Sequence, residues 1–130
     1  MSAPLDRVEL LDRAQKRSIH EPSSEHARYV VDKLGSRLAA ASLGLRDTRS
    51  LQKWASGEAT IKSPEREHRL QVLYRVTYLL SEAYSGPVAA AFLRGSNPYL
   101  DDRAPMVLLA TDKPQQVEHA LVVAAQALLD

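Results

Sequence analysis

The residue types that could carry catalysis or bind a metal are few in this sequence, and their spacing suits neither role. The four histidines, at positions 20, 26, 68 and 119, form no His-Glu-x-x-His motif and no pair four residues apart. SLQK at 50–53 has the Ser-x-x-Lys spacing of a serine acylase, but that enzyme's companion motifs are absent. Asp101 and Asp102 could bind a cation or act as acid and base, although carboxylates in a turn before a helix are more often caps.

The composition narrows the possible functional classes of this protein further. The absence of cysteine excludes disulfides, thiolate zinc sites and a cysteine nucleophile, and it suits a reducing cytosol. No glycine-rich phosphate loop is present, and no stretch approaches the roughly 20 apolar residues that would span a bilayer. We therefore expect a cytoplasmic protein that is not an enzyme, holds no cofactor or metal and does not enter a membrane.

The residues best suited to binding a partner lie just after Gly44, and their polar and basic side chains suit DNA. A helix that enters a major groove roughly 12 Å wide needs donors near its N-terminus to reach base edges. A basic and polar set at 46–53 meets that requirement: Arg46, Arg49, Ser50, Gln52 and Lys53. Further basic residues could lie near phosphates and fix the register without reading sequence: Arg37, Lys62, Arg66 and Arg69.

These residues belong to two short helices around a glycine turn, a pattern typical of a helix-turn-helix. We expect an alanine-rich helix from Arg37 to Leu43, a positive φ at Gly44 and a second helix that is capped by Asp47 or Thr48, ends near Ser56 and is stopped by Gly57. Leu51, Trp54 and Ala55 share the inward face of that second helix. The competing interpretation is a generic αα-hairpin with a solvated basic face. The turn before Leu51 is one residue longer than usual, which leaves the direction of the second helix open.

The rest of the chain predicts an all-α fold, a small helical bundle without strands. A further helix is expected at about 6–19, with Asp6 as its N-cap and with Val8, Leu11, Gln15 and Ile19 along one face, joined by Leu10 and Ala14. Others are expected at 25–34 behind a Ser23 or Ser24 cap, and at 63–84, where Ser63 precedes Pro64 at the first helical position. A short helix ends at Gly95, and a last helix, 113–129, is capped by Thr111 or Asp112. Its wide apolar face hints at burial by a second subunit. We divide the chain into an accessory helix (1–22), a DNA-binding region (23–84) and a C-terminal domain (85–130).

Charge is divided unevenly along the chain. Residues 1–75 hold 14 Lys and Arg against 10 Asp and Glu (net +4), and residues 76–130 hold 3 against 6 (net −3). A basic first half and an acidic second half are consistent with two surfaces that bind different partners, although such differences also arise by chance.

LRGSNPYLDDRAPMVLLA at 93–110 is the most distinctive stretch, and we call residues 95–105 the knuckle. Gly95 should stop one helix, Asn97-Pro98 should turn the chain, Leu100 should anchor it to the core and Pro105 should start the next helix. Since turn residues lie where a fixed bend needs them, we expect an ordered element.

KWASGE at 53–58, a long helix and AFLRGSNPYLDDRAPMVLLAT at 91–111 together resemble the Xre/MbcA/ParS-type antitoxins. The resemblance covers roughly residues 34–130. The hallmark of the family is an aromatic residue, an Asn-Pro turn, a leucine, a small turn, then Pro and Leu-Leu; it matches Phe92, Asn97, Pro98, Leu100, Pro105, Leu108 and Leu109. The chain departs from the family in having Phe92 for tryptophan, Asp101-Asp102 for a glycine-containing turn, Ala104 for a capping Ser or Thr, and the longer turn at 44–51.

The resemblance implies a homodimeric antitoxin that blocks the active site of a RES-domain toxin, an enzyme that destroys NAD, and that represses its own operon by binding operator DNA. Inhibition would be by obstruction. An apolar patch (Phe92, Leu93, Tyr99 and Leu100) would face the toxin, and Arg94, Asn97 and Arg103 would enter its dinucleotide cleft. The alternative is a stand-alone dimeric DNA-binding regulator without a cognate toxin.

Overall fold

The computed structural model describes residues 6–130 as eight α-helices and one single-turn 3₁₀ helix, with no strand among them. The all-helical prediction is confirmed. The α-helices are α1 (Arg7–His20), α2 (Ser23–Leu34), α3 (Ser36–Ser42), α4 (Arg49–Ser56), α5 (Pro64–Ala83), α6 (Gly86–Arg94), α7 (Pro105–Thr111) and α8 (Pro114–Ala127). The 3₁₀ turn is Pro98–Leu100.

Helix α5 is the central element of the bundle, and α1, α2, α6 and α8 pack around it. Its start follows the sequence: the Ser63 hydroxyl accepts the backbone N–H of Arg66, and Pro64 occupies the first turn. Ten of its residues, from Leu70 to Ser81, are buried. Because buried positions fall on nearly every side of the last three turns, α5 is enclosed rather than laid on a surface.

Helix α1 buries only part of its predicted apolar face. Its buried residues are Leu10, Ala14 and Ser18, spaced four apart, whereas Val8 and Ile19 are 73% and 61% exposed. Leu10 and Ala14 were expected beside the main line and are confirmed, but the main line through Val8, Gln15 and Ile19 is wrong. Two apolar lines were available, and the one with smaller side chains lies in the close contact with α5. Asp6 caps the helix by accepting the backbone N–H of Glu9, as its position predicts.

A cluster of aromatic rings joins α1, α2 and α5. Tyr74 stacks near His26 (centroids 4.2 Å apart) and packs edge-on against Tyr29, while its hydroxyl donates to Glu21 at the end of α1. The Arg17 guanidinium lies over the Tyr78 ring. Burial raises the pKa of the Tyr74 hydroxyl well above its ordinary value, so it remains a neutral donor. The predicted accessory helix thus contributes to the common core.

Gly44, in the turn between α3 and α4, lies close against α7. Gly44 has a φ of 71°, and a Cβ at this position would lie 2.8 Å from the carbonyl oxygen of Ala110 in α7. The positive φ was predicted, but the close approach to α7 was not. Gly57 ends α4 in the left-handed conformation, as expected.

Several predicted caps are absent, while the element boundaries hold. No side chain caps α2, which follows Pro22, or α8, which follows Lys113. Thr111 and Asp112 instead bond to each other and to Arg103, so the predicted cap of the last helix is wrong. Proline at the first position of α7 and α8 already removes one unpaired N–H donor, which lessens the need for a side-chain cap.

Candidate functional site

Two buried side chains fix the orientation of α4. Leu51 is fully buried and Trp54 is 7% exposed, so this face of the helix is committed to the core. The Arg28 guanidinium of α2 also donates to the carbonyl oxygen of Ala55 (3.1 Å). The inward face predicted from the sequence is confirmed, and the opposite face of α4 must point to solvent.

That outward face gathers most of the predicted DNA-binding residues. All five residues of the set at 46–53 are exposed: Arg46, Arg49, Ser50, Gln52 and Lys53. Four of them, all except Gln52, line an open cleft of about 480 Å³ between the start of α4 and the N-terminal turn of α5, which contributes Arg66. Four cationic side chains and one hydroxyl therefore border a single concave surface, which suits a polyanion more than an apolar ligand.

One carboxylate interrupts this basic surface. Asp47 Oδ1 accepts the backbone N–H of Arg49 (2.9 Å), and Oδ2 accepts from Arg49 Nε (3.1 Å) and Nη2 (2.7 Å). Hydrogen bonds from the Arg49 side chain and backbone lower the pKa of the Asp47 carboxyl, and the same pairing raises the pKa of Arg49. Both groups therefore stay charged near neutral pH, and the start of α4 carries a fixed ion pair.

The residues expected at phosphates separate into two groups. Arg37 in α3 and Lys62 before α5 are exposed but do not line the cleft with α4. Arg69 was expected near phosphates, and this expectation is wrong because its guanidinium is turned toward α7. Nε donates to the carbonyl oxygen of Leu109 (2.8 Å) and Nη2 to that of Asp112 (3.0 Å). Its side chain is only 13% exposed. Arg69 clamps the end of α7 to α5 and is not free to contact a phosphate.

The predicted toxin-facing residues are likewise split between core and surface. Phe92, Leu93 and Leu100 are 8%, 1% and 5% exposed, so these three are core residues and leave little of the expected apolar patch on the surface. Tyr99 is 63% exposed and Arg94 is exposed. Helix α6 packs against α5, α2 and α7, which turns its apolar side inward. The expected patch is corrected to Tyr99 alone.

The knuckle is an internally bonded loop. Asn97 and Arg103 form an antiparallel bridge, and the carbonyl oxygen of Asn97 accepts the backbone N–H groups of Leu100 and Asp102 (2.9 Å each). The amide oxygen of Asn97 accepts the N–H of Tyr99 (2.9 Å). Asn97 is therefore half-buried and engaged inside the loop, so its amide oxygen is not free to enter a partner's cleft.

The two aspartates of the knuckle have a backbone role. Asp101 and Asp102 adopt φ values of 55° and 62°, the left-handed region in which aspartate is tolerated better than most side chains. Neither carboxylate makes a side-chain cap of α7, so the interpretation of these two aspartates as caps is wrong.

Arg103 is the last of the predicted contact residues, and it binds within the chain. Its guanidinium reaches Asp112 (3.3 Å to Oδ1) and the hydroxyl of Thr111 (3.4 Å), with the side chain 44% exposed. This pairing lowers the pKa of the Asp112 carboxyl. Of the predicted toxin-facing residues, Tyr99, Arg94 and a partly engaged Arg103 are therefore the exposed ones, and Asp101 and Asp102 are exposed in the same loop as Tyr99.

Two further findings bear on the choice of function. Within residues 6–130, no group of three or more His, Asp or Glu side chains is placed to hold a metal ion, and no helix is both long and apolar enough to cross a bilayer. Comparison with protein-family models, with curated proteins and with solved structures gives no match for this chain.

Proposed function

We propose that this chain is a DNA-binding antitoxin. In this proposal α3 and α4 form a helix-turn-helix that binds operator DNA and represses the chain's own operon, and the C-terminal segment 85–130 neutralises a RES-domain toxin by obstruction. The observation that carries the DNA-binding half is the exposed basic surface of α4, held outward by the buried Leu51 and Trp54.

The geometry of α4 supports a role in the major groove. Its N-terminal turn presents Arg49 and Ser50, its next turn presents Gln52 and Lys53, and Arg66 of α5 borders the same cleft. Arginine, glutamine and serine can reach base edges, while lysine and a second arginine can neutralise phosphates. Phosphate contacts of this kind make DNA binding depend on salt. A solvated helical hairpin without a DNA partner would show no preference for a DNA sequence.

The DNA-binding half is tested by fluorescence anisotropy with a duplex from upstream of the chain's own gene. Arg49→Ala with Lys53→Ala should weaken binding by about a hundred-fold at moderate salt, because it removes a base contact and a phosphate contact. Arg13→Ala with Lys16→Ala is the matched control, since it removes the same charge from the exposed surface of α1. Equal losses of affinity in the two double variants would mean that net charge alone controls DNA binding. The proposed contacts between the helix-turn-helix and DNA would then be refuted.

Toxin neutralisation is supported by the resemblance at residues 91–111 and by the closed geometry of the knuckle. A loop whose backbone groups are bonded to one another presents Tyr99 without first having to be ordered, which lowers the entropic cost of binding. Tyrosine and arginine are the residue types that dominate binding hot spots. Tyr99 and Arg94 are therefore the side chains proposed to contact the toxin.

Co-expression with the product of the adjacent gene tests this half. Wild type should form a complex and relieve toxicity; Tyr99→Ala with Arg94→Ala should lose both and still bind DNA. The Arg49→Ala, Lys53→Ala variant should show the reverse. A chain that binds DNA but forms no complex would instead be the stand-alone dimeric regulator.

A further inference from the structure

We propose that Arg49 is a guanine-reading residue and that Asp47 holds its guanidinium in the orientation this requires. The inference rests on the proposed DNA-binding function and names the base that the α4 surface would recognise. It starts from the three hydrogen bonds that join Asp47 to Arg49, a pair that lies at the first turn of α4.

The carboxylate is itself held in place. Asp47 Oδ1 is tied to the backbone N–H of Arg49, so the side chain of Asp47 is fixed relative to the start of α4. Oδ2 then accepts hydrogen bonds from both Nε and Nη2 of the Arg49 guanidinium. Since the guanidinium is planar and its N–H groups form a rigid fork, two bonds to one edge set the direction of the whole group.

The adjacent Nη1/Nη2 edge of the guanidinium is left for a ligand. Nη1 and the remaining N–H of Nη2 have no hydrogen-bond partner among residues 6–130. The Arg49 side chain is 83% exposed, whereas that of Asp47 is 44% exposed, so the cation projects farther into solvent than the carboxylate that holds it. A parallel pair of N–H donors facing outward from the start of α4 is thus the most accessible feature of the pair.

Guanine is the base that fits this pair of donors. In the major groove guanine presents two adjacent acceptors, O6 and N7, which a guanidinium edge can bind together. Adenine presents an acceptor beside a donor, so it satisfies only one N–H and opposes the other. Cytosine presents a donor and thymine a single acceptor with a methyl group.

Asp47 also disfavours the competing partner of an arginine, which is the phosphate backbone. A free arginine binds phosphate wherever it finds it, whereas an arginine already paired with a carboxylate carries little net charge toward a phosphate. Arg46, Lys53 and Arg66 border the same cleft and remain for phosphate contacts. The surface therefore separates base reading from backbone positioning.

The experiment begins with selection from a random duplex library on the full-length chain. The enriched sequences should share a G·C pair, and replacing that pair by A·T should weaken wild-type binding by about ten- to a hundred-fold. Affinity for the selected duplex and for the replaced duplex is then measured for each variant at one salt concentration.

Asp47→Asn is the decisive variant. Asparagine keeps the side-chain oxygen that accepts the Arg49 backbone N–H, so the start of α4 is preserved, but it loses the charge that binds the guanidinium. Discrimination between the two duplexes should fall to within about three-fold, while binding to the replaced duplex is unchanged or tighter. Arg49→Lys should lose the same discrimination, because an ammonium is a point charge without a fork. Asp12→Asn on α1 makes the same change in net charge and should keep full discrimination.

Each outcome decides the proposal. Retained discrimination in Asp47→Asn, or increased discrimination because Asp47 merely masks Arg49, overturns the inference while leaving DNA binding in place. Selected duplexes without a required G·C pair also overturn it. Failure of the wild-type chain to enrich any sequence overturns the proposed DNA-binding function and this inference together.

Discussion

Gly44→Ala should destabilise the protein more than any other substitution of a left-handed glycine by alanine at a helix end. Two separate penalties act at this position. A φ of 71° is left-handed, which costs about 1–2 kcal/mol for a residue with a Cβ. The added methyl group would also lie 2.8 Å from the backbone carbonyl oxygen of Ala110, closer than van der Waals contact allows.

The second penalty is the informative one. Overpacking of this kind costs typically about 1–3 kcal/mol, because the obstructing atom is backbone in α7 and cannot rotate away. The total expected for Gly44→Ala is therefore about 2–5 kcal/mol. Gly57→Ala is the matched control: Gly57 has a φ of 80°, yet a Cβ there meets nothing within 4 Å. It should lose only the conformational part, about 1–2 kcal/mol.

Urea unfolding followed by circular dichroism measures both variants against wild type at one pH and temperature. The free energies of unfolding should differ by at least about 1 kcal/mol between Gly44→Ala and Gly57→Ala. Equal losses would show that α7 does not press on the turn between α3 and α4. The backbone of Gly44 would then lie farther from Ala110 than the distance of 2.8 Å between an added Cβ and the Ala110 carbonyl oxygen implies.

Two further variants probe buried polar groups. Arg69→Gln should lower the free energy of unfolding by about 1.5–3 kcal/mol, because the charged hydrogen bonds to the carbonyl oxygens of Leu109 and Asp112 are lost; Arg66→Gln, one turn earlier and exposed, should lower it by less than about 0.5 kcal/mol in the same urea titration. His26→Phe should reduce the amount by which the free energy of unfolding falls as the pH is lowered. Burial lowers the pKa of His26 below its ordinary 6.5, against the opposing effect of its bond to the carbonyl oxygen of Arg17, so the unfolded chain binds the proton first. Wild-type stability should thus fall as pH drops below 6.5, by up to about 1.4 kcal/mol per unit, and a slope unchanged in His26→Phe would assign the effect to other groups.

The sequence predicted those parts of the fold that depend on local chemistry. Ser63 followed by Pro64 predicts the start of α5, Gly57 the end of α4, and Leu51 with Trp54 its inward face, and all are confirmed. The centre of the buried face of α1 was misplaced because Val8 and Leu10 both lie on apolar lines, and only packing against α5 chooses between them. Periodicity describes which residues can be buried together, and it leaves the choice between two such lines to the tertiary contacts.

The candidate sites were less predictable than the fold because they depend on contacts between distant residues. The bonds from Arg69 to the end of α7 span 40 and 43 positions of the chain, and no spacing rule connects them. Asp47 was recognised as a possible cap, and its hold on the Arg49 side chain follows from an irregular turn rather than from helix geometry. The burial of Phe92, Leu100 and Leu109 shows a second limit: residues that resemble a family motif can do so because they form the core.

The single core determines which variants can test the proposed partners. One cluster of buried residues extends from Leu10 to Ala125, so the predicted boundary between residues 84 and 85 does not separate two hydrophobic cores. A substitution at Phe92 or Leu93 would therefore weaken the core that α6 shares with α2 and α5, and loss of toxin binding in such a variant would carry no information about contact. Tyr99 and Arg94 on the exposed side can be changed without removing core volume. Only variants of that kind can separate the proposed toxin-facing surface from a structural support of the fold.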